Sequence, residues 1–372
     1  MTGQGSVKKP LELYVHIPFC VRKCGYCDFL SAPAGQEVRR AYVEQLLREI
    51  QNAEALSGRY EAATVFFGGG TPSILEPELL LRILAELRRR FSFRPDAEIT
   101  LEANPGTVDR DSLFRYREAG VNRLSFGLQS ADNRELELLG RIHTWETFLE
   151  SWHLAGEAGF DNLNVDLMSA LPGQTVEGYR ETVKKVQKLS PEHISAYSLI
   201  LEEGTPFYER YAGQSGLLPS EDEERQMYYD TKELLEAAGY ERYEISNYAK
   251  PGYACRHNMG YWERTDYKGF GLGAASLLEN VRYANQRSLS EYLKGNTADT
   301  AEALTPQAVR EEYFFLGLRM MKGVDPGAYE AHYGPLLQKL QEQKLLQRKA
   351  GRVCLTDRGI DVSNYVLAQF LD

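Results

Sequence analysis

The sequence predicts an α/β protein in which six successive β-then-α units form a partial barrel, followed by a smaller C-terminal α+β domain. Three observations lead to this prediction. Short apolar runs typical of strands alternate with amphipathic stretches of helical period up to about residue 240. Glycines and polar residues gather where the predicted strands end. The 372 residues are enough for one large hydrophobic core and a smaller appended domain.

The alternation of apolar runs and amphipathic stretches defines the predicted strands and helices up to about residue 240. Helical spacing is clear between the strands: Tyr42, Leu46 and Ile50, for example, recur every fourth residue. The last helix of the series is predicted over 221–238, where Gly239 supplies a C-terminal stop. Repeated β-then-α units give parallel strands with right-handed crossovers. The six predicted strands lie at 13–17, 64–67, 98–102, 123–127, 162–167 and 193–199.

The residues at the strand ends favour a barrel over a doubly wound sheet, which the alternation alone would also allow. Cys20 follows the first predicted strand, Gly68 follows the second and Glu102 ends the third. Gln129 follows the fourth strand, and Asp166 lies at the end of the fifth. A barrel carries its active site on this C-terminal face. Because six units are fewer than the eight of a closed barrel, we expect an open or partial barrel.

The C-terminal part predicts a helix–helix–ribbon–helix module that resembles a winged helix. Thr305 and Pro306 form a helix start, with an N-cap followed by proline at the first helical position. The polar segment 296–303 before it is predicted to be a linker. The predicted elements are helices over 311–321 and 335–346, a strand pair near 347–355 and a helix from residue 357. We divide the chain into a barrel with the cysteine loop, an extension and a C-terminal domain, over 1–240, 241–300 and 301–372.

Composition and charge limit the function classes. The formal net charge is -10, whereas a general nucleic-acid binder shows a basic face, so we predict no nucleic-acid partner. No run approaches eighteen apolar residues, which predicts no membrane-spanning helix. The first ten residues are polar and contain no apolar core of a secretory signal. Since cysteines are also few, we expect a cytoplasmic protein.

Three cysteines near the start carry the most specific chemical signal. Cys20, Cys24 and Cys27 form a C-x3-C-x2-C motif directly after a strand-like run. Three thiolates on one loop can hold three irons of a cubane cluster and leave the fourth iron open to a small molecule. A zinc site would want a fourth ligand, which His16 could supply. A disulfide framework fits less well because five cysteines are few and odd in number.

Glycines and polar side chains at the other strand ends predict a cavity beside this loop. The run Gly-Gly-Gly-Thr-Pro-Ser over 68–73 lets backbone groups approach a ligand closely. It is neither a Walker A loop nor a Rossmann fingerprint, and alone it could be a tight turn. Glu102 could bind a ribose hydroxyl or an ammonium group, and Arg141 could hold a carboxylate in a bidentate fork. The polar ring around the cavity would consist of Glu102, Gln129, Arg141 and Asp166.

Together these motifs resemble the oxygen-independent coproporphyrinogen III oxidase family of radical S-adenosyl-L-methionine (SAM) proteins. The likeness spans nearly the whole chain, over 14–20, 68–73, 102–106, 125–130 and 166–174. It implies that the three cysteines ligate a [4Fe–4S] cluster whose free iron binds SAM. The implied contacts to this SAM are Tyr14, Tyr26, Gly69, Gly70, Thr71 and Glu102. The residues that match contacts to a second SAM in the oxidases are Gln129, Arg141 and Asp166.

Two departures indicate the heme chaperone branch of this family, the HemW type. The oxidases carry a fourth cysteine at the position of Phe29, and they have a long extension before the motif, whereas Cys20 lies near the start here. A further mark of the branch, H-N-x-x-Y-W, is present at 257–262. A histidine beside aromatic rings can be an axial heme ligand, which makes His257 the candidate heme contact and Cys255 an alternative. The motif could equally cap a helix or satisfy loop backbone.

The resemblance predicts a heme chaperone that binds heme, a [4Fe–4S] cluster and SAM, and delivers heme to apo-proteins such as respiratory enzymes. Delivery would bring peripheral contact with membrane enzymes. The alternative is the oxidase reaction of porphyrin biosynthesis, in which a SAM-derived radical would start the decarboxylation of coproporphyrinogen III. Cleavage of SAM would also require an electron donor. A different radical reaction on another tetrapyrrole is a third possibility, and we expect no coproporphyrinogen turnover.

Overall fold

The computed structural model describes residues 8–214 and 216–371, so most of the segment for which we predicted no secretory signal lies outside the described residues. At its centre is a twelve-stranded sheet in which six parallel strands follow one another in chain order. The six strands are β1 (Lys9–Ile17), β2 (Tyr60–Gly69), β3 (Phe93–Ala103), β4 (Arg123–Gln129), β5 (Leu163–Ser169) and β6 (His193–Ser198).

The strand order confirms the partial barrel. β1 to β6 pair consecutively, as winding in one direction requires, whereas a doubly wound sheet would place β1 in the interior of the order. Within the described chain no ladder joins β1 to β6, because each pairs on its outer side with a later strand. All six strands overlap the predicted segments, so the prediction of six successive β-then-α units is confirmed.

Helices follow the strands and cover the sheet. The residues whose spacing predicted α1, namely Tyr42, Leu46 and Ile50, are fully buried in the core. The helix predicted over 221–238 begins at a Ser220–Glu223 capping box. The helices of this part are α1 (Gln36–Gln51), α2 (Glu54–Ser57), α3 (Pro77–Arg90), α4 (Arg110–Glu118), α5 (Asn133–Leu139), α6 (Trp145–Glu157), α7 (Val176–Leu189), α8 (Pro206–Tyr211) and α9 (Glu221–Ala237).

The segment predicted as an extension adds strands to both edges of the same sheet. β7 and β8 lie antiparallel beside β6, β9 is parallel to β1, and β10 to β12 continue outward as an antiparallel meander. Tyr248, Phe270 and Tyr292 belong to the barrel core. The elements are β7 (Glu241–Arg242), β8 (Asn247–Ala249), α10 (Arg256–Glu263), β9 (Tyr267–Phe270), β10 (Ala275–Leu278), β11 (Val281–Asn285), α11 (Leu289–Leu293) and β12 (Ala298–Ala303).

The prediction of a linker over 296–303 is wrong, because β12 occupies most of it. This strand pairs antiparallel with β11 at the edge of the sheet. All six of its side chains are exposed, so it lacks the alternating apolar pattern by which a half-buried strand is recognised. Asp299 and Glu302 place charges along the edge, which disfavours pairing with another chain.

The chain crosses from one edge of the sheet to the other through α10, which lies against β1, β2 and β3. The N-cap residue of this helix, Cys255, makes no side-chain cap. Instead, the carboxylate of Glu98 on β3 accepts hydrogen bonds from the backbone N–H groups of Arg256 (3.0 Å) and His257 (3.1 Å). A negative charge at a helix N-terminus is favourable, so β3 stabilises the start of α10.

The C-terminal domain has its own hydrophobic core, which includes Phe314, Leu337 and Phe370. Its helix–helix–ribbon–helix order agrees with the prediction. No helix in the described part of the chain is long and apolar enough to cross a membrane. The elements are α12 (Pro306–Gly317), α13 (Glu330–Glu342), β13 (Leu346–Lys349), β14 (Arg352–Leu355), α14 (Asp357–Asp361) and α15 (Ser363–Ala368).

In this domain the start of α12 agrees with the prediction, whereas the start of α13 does not. Thr305 caps α12 as predicted, since its hydroxyl accepts the N–H of Ala308 at 3.1 Å. The next helix was predicted to begin at Pro335, but α13 begins at Glu330 and contains this proline. A 3-10 turn at Gly327–Tyr329 leads directly into α13, so the helix starts more than a turn earlier. Proline at this interior position removes one i→i−4 hydrogen bond, and its ring crowds the carbonyl four residues before it, so no local pattern indicated that the helix extends across it.

Candidate functional site

The loop that carries the three cysteines is tied to the barrel by backbone hydrogen bonds. Between β1 and α1, the N–H of Gly25 donates to the carbonyl of Leu139 (3.2 Å), and the carbonyl of Gly25 accepts the N–H of Phe207 (2.9 Å). A Cβ on Gly25 would lie 2.7 Å from the Phe207 ring. A side chain at this position would therefore push the loop away from α5 and α8.

Arg141 links the loop to the ends of β3 and β4. Its guanidinium donates to the side-chain oxygen of Asn104 (2.6 Å) and to the carbonyl of Gly127 (2.5 Å). The other terminal nitrogen lies 3.7 Å from the Cys24 sulfur. Charge-assisted hydrogen bonds are strong in a buried setting, so Arg141 fixes the distance between the cysteine loop and the sheet.

The three cysteines line one cavity of about 310 Å³ at the C-terminal ends of the strands. Tyr26 of the loop and Phe29 line it as well. The predicted residues that the structure brings together here are Cys20, Cys24, Cys27, Tyr26, Gly69, Gly70, Thr71, Glu102, Gln129, Arg141 and Asp166. The lining also contains Asn104, Ser125, Met168 and Tyr197, which were not among the predicted site residues. Asn104, Ser125 and Met168 lie in segments that had been singled out, but Tyr197 carried no recognisable signal.

The glycine run forms one wall because its backbone passes close to β1. Gly69 has a φ of +113°, and a Cβ there would lie 2.5 Å from the His16 ring. A Cβ on Gly70 would lie 2.4 Å from the carbonyl oxygen of Phe19. The N–H of Gly69 donates to the carboxylate of Glu102 at 3.2 Å. Only glycine allows this approach, so the wall presents backbone rather than side chains to the cavity.

Two carboxylates inside the cavity are shifted towards their neutral forms. Burial, and then the neighbouring carboxylate of Asp166, raise the pKa of Glu102 from 4.5 to about 8. Burial also raises the pKa of Asp166, although hydrogen bonds from Asn164 and Ser195 oppose the shift. A cation bound between these groups would favour their ionised forms. The cavity is therefore suited to a ligand that carries positive charge.

The three cysteine thiols and His16 are arranged in a way that suits an iron–sulfur cluster better than a single zinc ion. In the described residues no three His, Cys, Asp or Glu side chains converge on one ion position, although the three thiols line the same cavity. His16 is not available as a fourth zinc ligand, because its Nδ1 lies 3.0 Å from the Tyr14 hydroxyl and its Nε2 lies 3.0 Å from the carbonyl oxygen of Leu30. Three separated thiols are what three irons of a cubane require.

Comparison with known proteins identifies the family. Residues 14–186 match the radical SAM superfamily, and residues 304–362 match the HemN C-terminal domain. The chain is 36% identical to the heme chaperone HemW of Lactococcus lactis over 98% of each chain. It is also 36% identical to the heme chaperone HemW of Escherichia coli, over 97% of this chain and 98% of the relative. The chain belongs to the HemW family.

A solved structure extends the HemW-family assignment to the fold. Coproporphyrinogen III oxidase (HemN) from Escherichia coli, a radical SAM enzyme, superimposes with a TM-score of 0.85 at 26% identity. The match covers 98% of this chain and 90% of the oxidase. Both the partial barrel and the C-terminal domain therefore have the radical SAM and HemN-like architecture.

The motif that pointed to the HemW branch lies away from the cavity. His257 on α10 is only 1% exposed and does not line the cavity. Both of its ring nitrogens have partners: Nδ1 lies 2.7 Å from the Thr64 hydroxyl, and Nε2 lies 3.1 Å from the Tyr261 hydroxyl. Neither nitrogen is free to bind a heme iron in this conformation. Tyr14, predicted to contact SAM, packs against His257 and is not part of the cavity lining.

Proposed function

We propose that the protein is a heme chaperone that carries a [4Fe–4S] cluster and binds SAM in the strand-end cavity. The observation that carries the proposal is the 36% identity to proteins named heme chaperones over 98% of the chain. The radical SAM match and the shared cavity of the three cysteines support it. An oxidase of similar fold is also known, so the fold alone does not decide between the two functions.

Cys20, Cys24 and Cys27 are the proposed cluster ligands. The bound cluster would supply an open iron and a transferable electron. Arg141 keeps the loop at a fixed distance from the strand ends, and its hydrogen bond to the Cys24 sulfur stabilises negative charge on that atom. Each of the three thiols must lose its proton to bind iron. Burial raises the pKa of Cys20 and Cys27, so iron binding and proton release are coupled.

SAM is the proposed second ligand of the cavity. Its sulfonium and ammonium charges suit a site with two carboxylates, Glu102 and Asp166. Tyr26, Gly70 and Thr71 surround the same space from the loop and the glycine wall. The proposed contacts to the SAM at the cluster are Tyr26, Gly69, Gly70, Thr71 and Glu102. Gln129, Arg141 and Asp166 line the same cavity and are the residues that match contacts to a second SAM. Tyr14 is not in the lining, so its effect on SAM would be indirect, through the residues that line the cavity.

Heme is the proposed cargo, to be passed to apo-proteins such as respiratory enzymes. Ligation by His257 stays a prediction, and in the described conformation it would require α10 to move away from the sheet. Cys255, the alternative ligand, is fully buried, and burial raises the pKa of its thiol to about 12. We propose that the protein acts in the cytoplasm, consistent with all five cysteines being unpaired.

The oxidase reaction is the second candidate, because HemN shares the fold over nearly the whole chain. One feature of the cavity disfavours it. Phe29, at the position of the fourth cysteine of the oxidases, lines the cavity and is 62% exposed. An apolar ring there cannot ligate iron or take part in thiol chemistry. It is better suited to contact with a flat apolar molecule.

One anaerobic preparation tests both candidates. The protein is reconstituted with iron and sulfide, then titrated with heme by absorption spectroscopy. The same sample is assayed with coproporphyrinogen III, SAM and a reductant. We expect saturable heme binding and no decarboxylation. Turnover of coproporphyrinogen would contradict the chaperone assignment, and a lack of heme binding by the loaded protein would refute it.

A further inference from the structure

We propose that His257 is a positioning residue: from α10 it holds the aromatic side chains beneath the proposed SAM site and thereby sets the affinity of that site. The inference rests on the proposed function, because it assumes that SAM occupies the strand-end cavity. It gives the histidine of the 257–262 motif on α10 a role that does not need heme. His257 reaches the cavity through packed rings rather than by direct contact.

The imidazole is held on all sides. Thr64 of β2 bonds to Nδ1 at 2.7 Å, and Tyr261, one turn further along α10, bonds to Nε2 at 3.1 Å. The backbone N–H of His257 is fixed by Glu98, and the carboxylate of Glu12 approaches Nδ1 to 4.0 Å. Burial raises the pKa of Glu12 to about 9, so the charge that acts on the ring is that of Arg123. Burial, and then Arg123, lower the pKa of His257 to about 3, so the ring is neutral and one nitrogen must accept a hydrogen bond.

The rings of His257, Phe66 and Tyr14 form one mutually packed cluster. The Phe66 ring stacks on His257 with centroids 5.0 Å apart and an interplanar angle of 21°. Tyr14 stacks next to both, with its centroid 6.3 Å from Phe66 and 6.4 Å from His257. Stacked aromatic pairs prefer defined offsets and angles, so the three rings have a preferred common arrangement.

Phe66 and Tyr14 of this cluster lie close to the glycine wall and to Glu102. A Cβ on Gly68 would lie 2.9 Å from the Phe66 ring, and 3.1 Å from both Tyr14 and the Glu102 carboxylate. The Tyr14 hydroxyl lies 3.0 Å from His16, whose other nitrogen bonds to the Leu30 carbonyl at the end of the cysteine loop. A shift of Phe66 or Tyr14 therefore displaces the glycine wall, Glu102 and the loop together, because close-packed interiors transmit strain.

Thr64 offers a test that leaves His257 in place. Thr64→Val removes the hydroxyl that bonds to Nδ1 but keeps the shape of the side chain. Thr100 is a matched control on the neighbouring strand β3: it is fully buried, pairs in register with Phe66, and its hydroxyl has no hydrogen-bond partner among the described residues. Thr100→Val thus makes the same chemical change on the same sheet without breaking a bond. Thr64→Ser keeps a hydroxyl and serves as the rescue variant.

The measurement is SAM binding to the anaerobically reconstituted protein, by calorimetry and by the effect of SAM on the EPR spectrum of the reduced cluster. We expect Thr64→Val to weaken SAM binding about fivefold, the effect of one buried hydrogen bond, and to alter the SAM-dependent EPR signal. Thr100→Val and Thr64→Ser should match the parent protein. Iron content and thermal unfolding show that each variant folds and is loaded. Unchanged SAM affinity and EPR signal in Thr64→Val would overturn the proposal.

Heme titration of the same variants separates this inference from ligation by His257. If His257 positions the rings, His257→Ala and His257→Asn both weaken SAM binding, because neither side chain has a ring to stack on Phe66 and Tyr14. If His257 only ligates heme, both substitutions abolish heme binding and leave SAM binding intact, which also overturns the proposal. A parent protein that binds no SAM would instead refute the proposed function itself, before any variant is compared.

Discussion

At the level of single residues, the cavity side chains were predictable because each occupies a strand end. Glu102, Gln129 and Asp166 are far apart in sequence, yet parallel strands bring their C-terminal ends to one face. His257 was different. Its partners Thr64 and Glu98 lie 193 and 159 residues away and hold it beneath the rings rather than in the cavity. Nothing in a local motif shows whether a histidine will be free or fully bonded.

Glu102 gives a prediction at this scale. Its pKa is raised from 4.5 to about 8, so between these values the folded protein holds a proton that the unfolded chain releases. The contribution of this group to stability is therefore full below pH 4.5 and is lost as the pH rises towards 8. Between pH 4.5 and 8 we expect the free energy of unfolding of Glu102→Gln to fall less steeply with pH than that of the parent, by up to about 1.4 kcal/mol per pH unit. Urea unfolding of the cofactor-free protein at several pH values measures the slope.

A surface carboxyl supplies the control for that experiment. The hydrogen bond from Arg115 holds the pKa of Glu78 below its ordinary value of 4.5. Glu78 is therefore ionised in the folded protein throughout the range from pH 4.5 to 8. Glu78→Gln should leave the slope unchanged. Equal slopes for the parent and Glu102→Gln would show that Glu102 is already ionised in the folded protein.

At the level of elements, the periodic helices and the six parallel strands followed from the sequence, whereas β12 and the start of α10 did not. β12 is exposed along its whole length and exists because β11 supplies backbone partners. The start of α10 has no capping side chain of its own, because Glu98 of β3 performs that role from a distant part of the chain. Both depend on tertiary contacts that no local pattern encodes.

The cap of α10 can be tested directly. Glu98→Gln replaces a carboxylate that accepts two backbone N–H groups with a neutral amide. We expect a loss of about 1–2 kcal/mol in the free energy of unfolding, because a charged acceptor at a helix N-terminus is removed. Hydrogen exchange at the amides of Arg256 and His257 should become faster.

Ser220→Ala on α9 is the matched control, since Ser220 also caps a helix through its side chain. It should lower the stability by a similar amount and leave exchange at α10 unchanged. If Glu98→Gln alters neither the stability nor the exchange at α10, the proposed cap does not operate in solution.

At the scale of the whole molecule, a buried ion-pair cluster joins the C-terminal domain to the sheet. Glu312 of α12 accepts hydrogen bonds from Arg264, just after α10 (3.0 Å), and from Arg282 on β11 (2.6 Å). The Glu312 and Arg264 side chains are only 8% and 10% exposed. The order of elements in this domain was predictable, but its attachment was not, because it joins residues of three separate segments.

Removal of Glu312 should loosen this attachment. Glu312→Ala leaves the buried Arg264 charge unpaired, and we expect a loss of about 3 kcal/mol in the free energy of unfolding. Limited proteolysis should then cut near residues 296–305 more readily. Glu330, whose ion pair with Arg348 is exposed, gives the control: Glu330→Ala should cost less than about 1 kcal/mol. Equal effects of the two substitutions would contradict a structural role for the buried cluster.

The account as a whole depends on three cysteine thiolates that hold a cluster with one iron open to SAM. The most direct test is EPR spectroscopy of the reduced, anaerobically reconstituted protein with and without SAM, together with iron and sulfide analysis. We expect about four irons and four sulfides per chain and a spectrum that changes when SAM is added. Zinc in place of iron, or a cluster spectrum that SAM leaves unchanged, would contradict the account.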